Sequence, residues 1–452
     1  MNLLVKDKCF YKKMAVIAIP ISLQSMITIG VNMTDTVMVG KLGETSLSAT
    51  ALANQFVNIY QICCMGIAMG ASVLTSRFWG MQDITSLKKT ITLMLRLCIV
   101  LAVLFMLPTI LIPQLLMRMY TNDSAVIAQG VQYFKWMVYC YFLQGMTLTC
   151  TIVLRSVGQV NFPLFTSIGS FFVNILFNYM FIFGKLGVPR MEVEGAGVGT
   201  LIARVFEFSL ICGYFLFVDR KIGYRLKDLR MKCNSLIKDY VSISIPVFVS
   251  DSLLALGTSA VAMVMGRIGT GFVSANSITV VTQQLTTVII QGICHASCIM
   301  TGHTLGHGER EKAQQQAWTF LILGLVVGIL GGGLIKVLSR PIIGLYNITP
   351  ETAQIAGELM DAIAFIVIFQ SMNSILTKGV LRGGGDTKFL MVADIIFLWA
   401  ASLPLGILAG LVWHLDAFWI YVFLKIDQIC KSIWCVFRLK SGKWIKTFSK
   451  EN

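Results

Sequence analysis

Charge is scarce in this chain of 452 residues. Asp, Glu, Lys and Arg together make up 13% of it, about half the ~25% of an ordinary globular domain. So few charges cannot cover the surface of a soluble fold. Disorder, collagen and coiled coil are excluded by the same composition. Histidine is rarer still, at four residues. No CxxC pair occurs, and Cys294, His295 and Cys298 lack the partners of a zinc site. A GxxxxGK[ST] loop is missing, so direct ATP drive has no support. HExxH, GxSxG and paired catalytic acids are missing too, which argues against an intramembrane enzyme.

Apolar residues fill the space that charge leaves. They form 56% of the chain, and about 62% when glycine replaces tyrosine in the count, against ~45–50% for a soluble domain. The mean hydropathy is +0.75. A bilayer is the solvent that suits this composition. Most of the 12 cysteines, Cys63, Cys64, Cys98, Cys140, Cys150 and Cys212 among them, sit inside apolar runs. There they act as small apolar groups rather than a disulfide framework.

An apolar run of about 20 residues spans the hydrocarbon core as a helix. Twelve such runs are predicted, at 14–38, 48–76, 90–116, 127–154, 160–184, 195–218, 240–265, 272–301, 315–338, 354–380, 388–412 and 414–437. The first reads as a span and not as a cleaved leader, because it is long, carries Pro20 and Asp35, and shows no small-residue cleavage site. The net charge of +15 could signal nucleic-acid binding. Placement decides against it. Twenty-five Lys and Arg fall in the N-terminal segment, the even-numbered gaps and the tail, and the 218–240 loop alone holds seven. The other side holds only Lys41, Arg118, Lys185, Arg190, Arg267, Lys336 and Arg340. The bias places both termini in the cytoplasm of a plasma-membrane protein.

The chain repeats itself. Ile19-Pro20 falls on Ile245-Pro246, an offset of 226 residues (246 − 20). At the same offset Val39-Gly40-Lys41-Leu42-Gly43 falls on Met265-Gly266-Arg267-Ile268-Gly269, Thr75 on Thr301, Gly80 on Gly306 and Tyr120 on Tyr346. One inserted residue later, Val153-Leu154-Arg155 falls on Val380-Leu381-Arg382. Six spans per half is an even number, so the halves share one topology and relate through an axis along the membrane normal. Two such bundles can enclose a cavity and rock against each other. The expectation is an all-α membrane protein of twelve transmembrane helices in two pseudo-symmetric six-helix bundles. The first lobe covers residues 1–220, a cytoplasmic loop 221–239, and the second lobe 240–452.

Here the residues resemble a known family, the multidrug and toxic compound extrusion (MATE) transporters. Pro20-Ile21-Ser22-Leu23-Gln24 through Asp35-Thr36-Val37-Met38-Val39-Gly40-Lys41-Leu42-Gly43 is similar to that family's opening signature. Leu381-Arg382-Gly383-Gly384-Gly385-Asp386-Thr387-Lys388 matches a second motif. Asn174-Ile175-Leu176-Phe177-Asn178-Tyr179 and Gly195-Ala196-Gly197-Val198-Gly199-Thr200 resemble its fifth and sixth spans. The resemblance implies a V-shaped cavity between two lobes. It implies export of organic, often cationic compounds against an inward flow of H+ or Na+, with no other cofactor. The implied partners are small organic cations, drugs and membrane lipid, and the family expectation is a monomer.

A carboxylate inside a span costs about 2.5–3.5 kcal/mol on insertion scales, which makes it a functional hypothesis by default. Asp35 is the foremost candidate, and the resemblance makes it the first lobe's coupling acid. A plainer reading is an acid bonding a neighbouring helix. Asn174 and Asn178 are four apart and share a helix face, as do Asn32 and Asp35, three apart. Some family members carry an acid where this chain has Asn178, and here the chain is more similar to NorM-type members. Thr200 matches a hydroxyl position of the same site. Asp35, Asn174, Asn178 and Thr200 could hold Na+ instead of serving a proton. For both asparagines an ordinary interhelical hydrogen bond is an equal reading, and for Thr200 it is the favoured one.

The second lobe departs from the family. NorM-type members place acids where this chain has Leu254 and Asn373. Asp251, one turn before Leu254, can present a carboxylate nearby. Asp361 and Asp394 also fall in or near spans. Arg204 and Glu207, three apart, read first as a helical ion pair and second as a latch. Lys378 reads as a residue reaching for the cytoplasmic edge. His295, His303 and His307 read as a solvated helix end rather than a metal site, because Gly302 and Gly306 suggest that the helix stops there. Pro20 and Pro246 are candidate bending points. The basic 218–240 loop suits anionic lipid, although an ordinary topogenic loop explains it as well. The competing function is a flippase for lipid-linked oligosaccharide or polysaccharide. An ion channel is disfavoured by the duplication and by the absence of a filter-like motif.

Overall fold

The computed structural model describes residues 4–344 and 348–446, and no strand occurs among them. Tyr346, the repeat partner of Tyr120, and Lys450 of the basic tail lie outside these residues. Helix is what lipid dictates, since each backbone N–H and C=O must be satisfied within its own segment. Eleven helices among the described residues are long and apolar enough to cross a membrane. They are α1 (Lys8–Gly40), α2 (Glu44–Gly80), α3 (Ile84–Leu111), α4 (Ser124–Ser156), α5 (Asn161–Phe183), α6 (Glu192–Val218), α7 (Asn234–Ile268), α8 (Thr270–Gly306), α9 (Arg310–Ile343), α10 (Pro350–Leu381) and α11 (Thr387–Val412). The run predicted at 414–437 is broken. It forms α12 (Ala417–Leu424) and α13 (Ile426–Lys440), parted at Lys425 with φ −120° and ψ 16°.

Local chemistry sets the helix ends. Asp83 caps α3 by accepting the Ser86 N–H at 3.0 Å, and Asp123 caps α4 by accepting from Ala125 at 2.9 Å. Thr349 caps α10, whose first residue is Pro350. Gly184 ends α5 with φ +65°, a left-handed conformation that costs glycine little. Inside α10 and α11 the backbone widens into π-helical stretches, Ile375–Leu381, Ile395–Ser402 and Leu408–Val412. Such turns concentrate at functional positions.

Contacts divide the chain into two compact units. One comprises Leu23–Thr75 and Asp83–Ser244; the other comprises Met1–Ser22, Ser76–Gln82 and Ile245–Asn452. The division crosses α1 two residues after Pro20 and α7 one residue before Pro246, between Ser244 and Ile245.

The first unit is built around an aromatic core. Tyr60 and Tyr141 meet edge to face at 5.0 Å, and Phe56 and Phe105 pack at 5.2 Å. The 218–240 loop belongs to this unit and is tied to α3. Asp228 pairs with Lys88 at 2.9 Å, and Arg96 donates to the Met231 carbonyl at 3.1 Å. The Tyr224 phenol meets the Thr92 hydroxyl at 2.9 Å, and burial pushes that phenol up to about 12.

The second unit packs by close backbone approach. A methyl at Gly328 of α9 would lie 2.8 Å from the Ile368 Cα of α10. At the C-terminal end of α8, Gly302 and Gly306 face Ser76, Arg77 and Gly80 of α2. The glycines expected to end α8 at 302 therefore do something else. The helix runs on to Gly306, and the missing side chains let two helices touch. The C-terminal segment closes the same unit. Trp444 is wholly buried, and its indole N–H donates to Gln314 at 2.7 Å. Lys446 donates its backbone N–H to Gly384 at 3.0 Å and accepts from Arg77 at 2.6 Å.

Candidate functional site

In the first unit α1, α5 and α6 bring three of the expected residues together. Asn174 and Asn178 lie one turn apart on α5, 2% and 1% exposed. The Asn178 side-chain N–H2 donates to the Asp35 carboxylate at 2.6 Å and to the Asn174 amide oxygen at 3.3 Å. Its own oxygen is turned away against Gly199 of α6 and has no partner. A methyl at Gly199 would overlap that oxygen and sit 2.9 Å from the Asn178 backbone nitrogen. Glycine is thus what allows α6 to press the amide toward α1.

Thr200 is next to Gly199, but among the described residues it makes no hydrogen bond to this cluster. Asn32, one turn before Asp35, is exposed. Arg204 holds Glu207 at 2.8 Å, and its charge also faces Asp35. The expected ion pair is formed, and it places a cation near the carboxylate. Tyr133 of α4 lies on the same side, donating to Asn54 at 3.1 Å.

The second unit repeats one contact with changed chemistry. Arg155 of α4 donates to the Gln24 side-chain oxygen of α1, and Gln24 donates to Ser167 at 2.8 Å. The repeat-related Arg382, directly after α10, grips Asp251 of α7, with nitrogen–oxygen distances of 3.0 and 3.5 Å. The same arginine therefore meets a neutral amide in one half and a carboxylate in the other. Arg382 is 5% exposed and Asp251 18%. Lys378 and His295 also face Asp251 electrostatically. Asp251 is held within a cluster of cations, a different setting from that of Asp35.

Asn373, 6% exposed, donates to Gln428 of α13 at 2.7 Å. Gln428 in turn donates to Asp427 at 2.7 Å. Asp361 pairs with Lys336 at an exposed position. Asp394 is buried beside Lys431 and Ser250. His303 and His307 line a cavity of about 920 Å³ together with Lys6, Asp7, Trp79 and Lys312, all within the second unit. Among the described residues no group of three or more His, Cys, Asp or Glu could hold a metal ion. Sequence reasoning missed Asp427 and Lys431. Their signal was present as a charged pair four residues apart inside an apolar run.

A duplicated set of membrane-crossing helices, with a carboxylate and two amides gathered in the interior of one half, defines a multi-span membrane transporter and not an enzyme. The chain belongs to the MatE family, whose model matches it twice, over residues 20–180 and 246–429, so that both matches begin at a repeat-related proline. Among similar proteins, the probable multidrug resistance protein NorM of Thermotoga maritima is 24% identical over 441 residues, covering 96% of this chain and 93% of that protein. The uncharacterized transporter YisQ of Bacillus subtilis is 24% identical over 419 residues, covering 91% of this chain and 90% of that protein. In fold, the chain is similar to a MOP superfamily transporter from Pyrococcus furiosus, with a TM-score of 0.84, 19% identity and coverage of 96% and 97%. It is similar also to a mutant of the Vibrio cholerae MATE transporter VcmN, with a TM-score of 0.87, 16% identity and coverage of 96% and 97%. The fold is that of the MATE transporters.

Proposed function

We propose that this protein exports small organic, cationic, drug-like molecules across the plasma membrane in exchange for protons. Its lobes, residues 1–220 and 240–452, alternate access to a shared cavity. Both termini face the cytoplasm, and the protein works as a monomer. The observation that carries the reading is the direction of the Asn178 amide. Its nitrogen faces Asp35 and its oxygen faces Gly199. A Na+ site needs oxygens converging on one point, whereas an N–H donor pointed at a carboxylate suits a group that gains and loses a proton.

The switch follows from elementary chemistry. An ionised Asp35 accepts a charge-assisted bond from Asn178 and attracts Arg204. A protonated Asp35 loses the charge and becomes a donor itself. A hydrogen bond to a charged group contributes about 1.5–3 kcal/mol, against about 0.5–1.5 for a neutral one. The difference, about 1–2 kcal/mol, shifts a two-state equilibrium roughly tenfold. Asn174 and Asn178 position Asp35, while Thr200, Asp251 and Asn373 serve the pathway at one remove.

Reconstituted vesicles carrying a fluorescent organic cation test this directly. A proton gradient should drive export, and an equal sodium gradient alone should not. Asp35→Asn should abolish the proton-driven component while the protein stays folded. Export driven by sodium alone would overturn proton coupling, and full proton-driven export by Asp35→Asn would remove Asp35 from the mechanism. Failure to move any organic cation, with transfer of a lipid-linked sugar instead, would favour the flippase reading.

A further inference from the structure

The interior of the second unit holds charge that the coupling reading does not use. Lys431 of α13 has a side chain 2% exposed. Its ammonium lies 3.0 Å from Asp394 of α11 and 3.0 Å from Asp427, one turn earlier on α13. The side chains of Asp427 and Asp394 are 2% and 9% exposed. Each carboxylate has further donors. Ser250 of α7 donates to Asp394. Gln428 donates to Asp427 at 2.7 Å, and the Ser402 hydroxyl of α11 lies 3.4 Å from it. Asn373 of α10 steadies Gln428. Lys425, at the break before α13, faces Asp427 electrostatically.

Two carboxylates converging on one point, with the Ser250 and Ser402 hydroxyls beside them, form the hard-oxygen surroundings that an alkali cation accepts. Here the point of convergence is filled by an amine of the chain itself. A lysine fixed by helix spacing to one of its own carboxylates gives up no translational freedom on binding. It also removes the penalty of two uncompensated buried anions. Lys425 adds a second basic group that faces Asp427.

We propose that Asp394 and Asp427 form a monovalent-cation site whose permanent occupant is the Lys431 ammonium. This half of the protein accordingly takes up no Na+ or K+. The proposal concerns a site separate from Asp35 and stands whichever ion drives transport.

The test is thermal unfolding of purified protein in chloride salts of sodium, potassium or choline at equal ionic strength. An Asp35→Asn background removes the carboxylate proposed to couple transport. That parent should unfold at one midpoint in all three salts. Adding Lys431→Ala should make the midpoint rise with each tenfold increase in sodium, potassium or methylammonium. Adding Asp394→Asn and Asp427→Asn to that variant should abolish the rise. Lys431→Arg should behave like the parent. A folded Lys431→Ala variant that ignores every cation overturns the proposal. So does sodium stabilisation of the Asp35→Asn parent that disappears on adding Asp394→Asn. That second comparison keeps Lys431 in place and holds even if Lys431→Ala does not fold.

Discussion

Replacing Gly199 by alanine tests whether close packing of α6 aims the Asn178 amide at Asp35. The added methyl would overlap the Asn178 side-chain oxygen and lie 2.9 Å from its backbone nitrogen, where a contact of about 3.5 Å is comfortable. Two responses are open. The amide can swing away, losing a charge-assisted bond of about 1.5–3 kcal/mol to Asp35 and a neutral one of about 0.5–1.5 kcal/mol to Asn174. Alternatively α5 and α6 can part, at about 1–3 kcal/mol for overpacking. Alanine's better helix propensity returns only about 1 kcal/mol. The net expectation is a loss of about 1–3 kcal/mol, felt at the carboxylate. Proton-driven export in vesicles should then fall roughly tenfold or more, by the usual ~1.4 kcal/mol per decade. Gly213→Ala on the same helix is the control, because nothing lies within 4 Å of its added carbon. It should leave export unchanged. Wild-type proton-driven export by a well-expressed Gly199→Ala protein would refute the reasoning.

Other consequences can be measured with the same material. Asp251→Asn leaves Arg382 buried beside a neutral partner and should cost about 3 kcal/mol in unfolding, the lower end for breaking a buried pair; the double variant with Arg382→Met should recover most of it. Gly306→Ala places a carbon 2.8 Å from the Gly80 Cα and should destabilise by about 1–3 kcal/mol, read as a lower unfolding midpoint, whereas Gly40→Ala should not. Trp444→Ala empties a filled site at a cost of about 3–5 kcal/mol and should expose the 441–446 segment to limited proteolysis while the helices remain resistant.

Much of this architecture was legible because lipid leaves a chain few options. Apolar length alone located eleven of the helices, and the match of Pro20 to Pro246 disclosed the duplication. Asp35, Asn174 and Asn178 could be read because polar groups inside a span are costly and therefore stand out. What escaped depended on partners rather than on periodicity. Gly302 looked like a helix stop, although the helix ends one turn later at Gly306, since glycine in one sequence cannot say whether it ends a helix or admits another. Asp251 looked like a free acid until Arg382 was found across from it, 131 residues away. Thr200 has the right neighbour and no bond to the cluster. Lys431 was overlooked although Asp427 stands four residues before it, and its second carboxylate, Asp394 of α11, meets it only in three dimensions.

The interruption at Lys425 bears on how the polypeptide is made. A translocon weighs each emerging segment for its affinity for lipid, and α12 is too short to span while α13 carries Asp427, Lys431 and Arg438. At about 2.5–3.5 kcal/mol for each charge near mid-bilayer, this last stretch has poor affinity for lipid by itself. It must partition as a hairpin with α11, whose Asp394 meets Lys431 and lowers the cost for both. The segment from Thr387 to Lys440 is accordingly a cooperative unit of biogenesis, and a stop codon placed after α11 would strand a carboxylate in the bilayer and mark the truncated product for degradation.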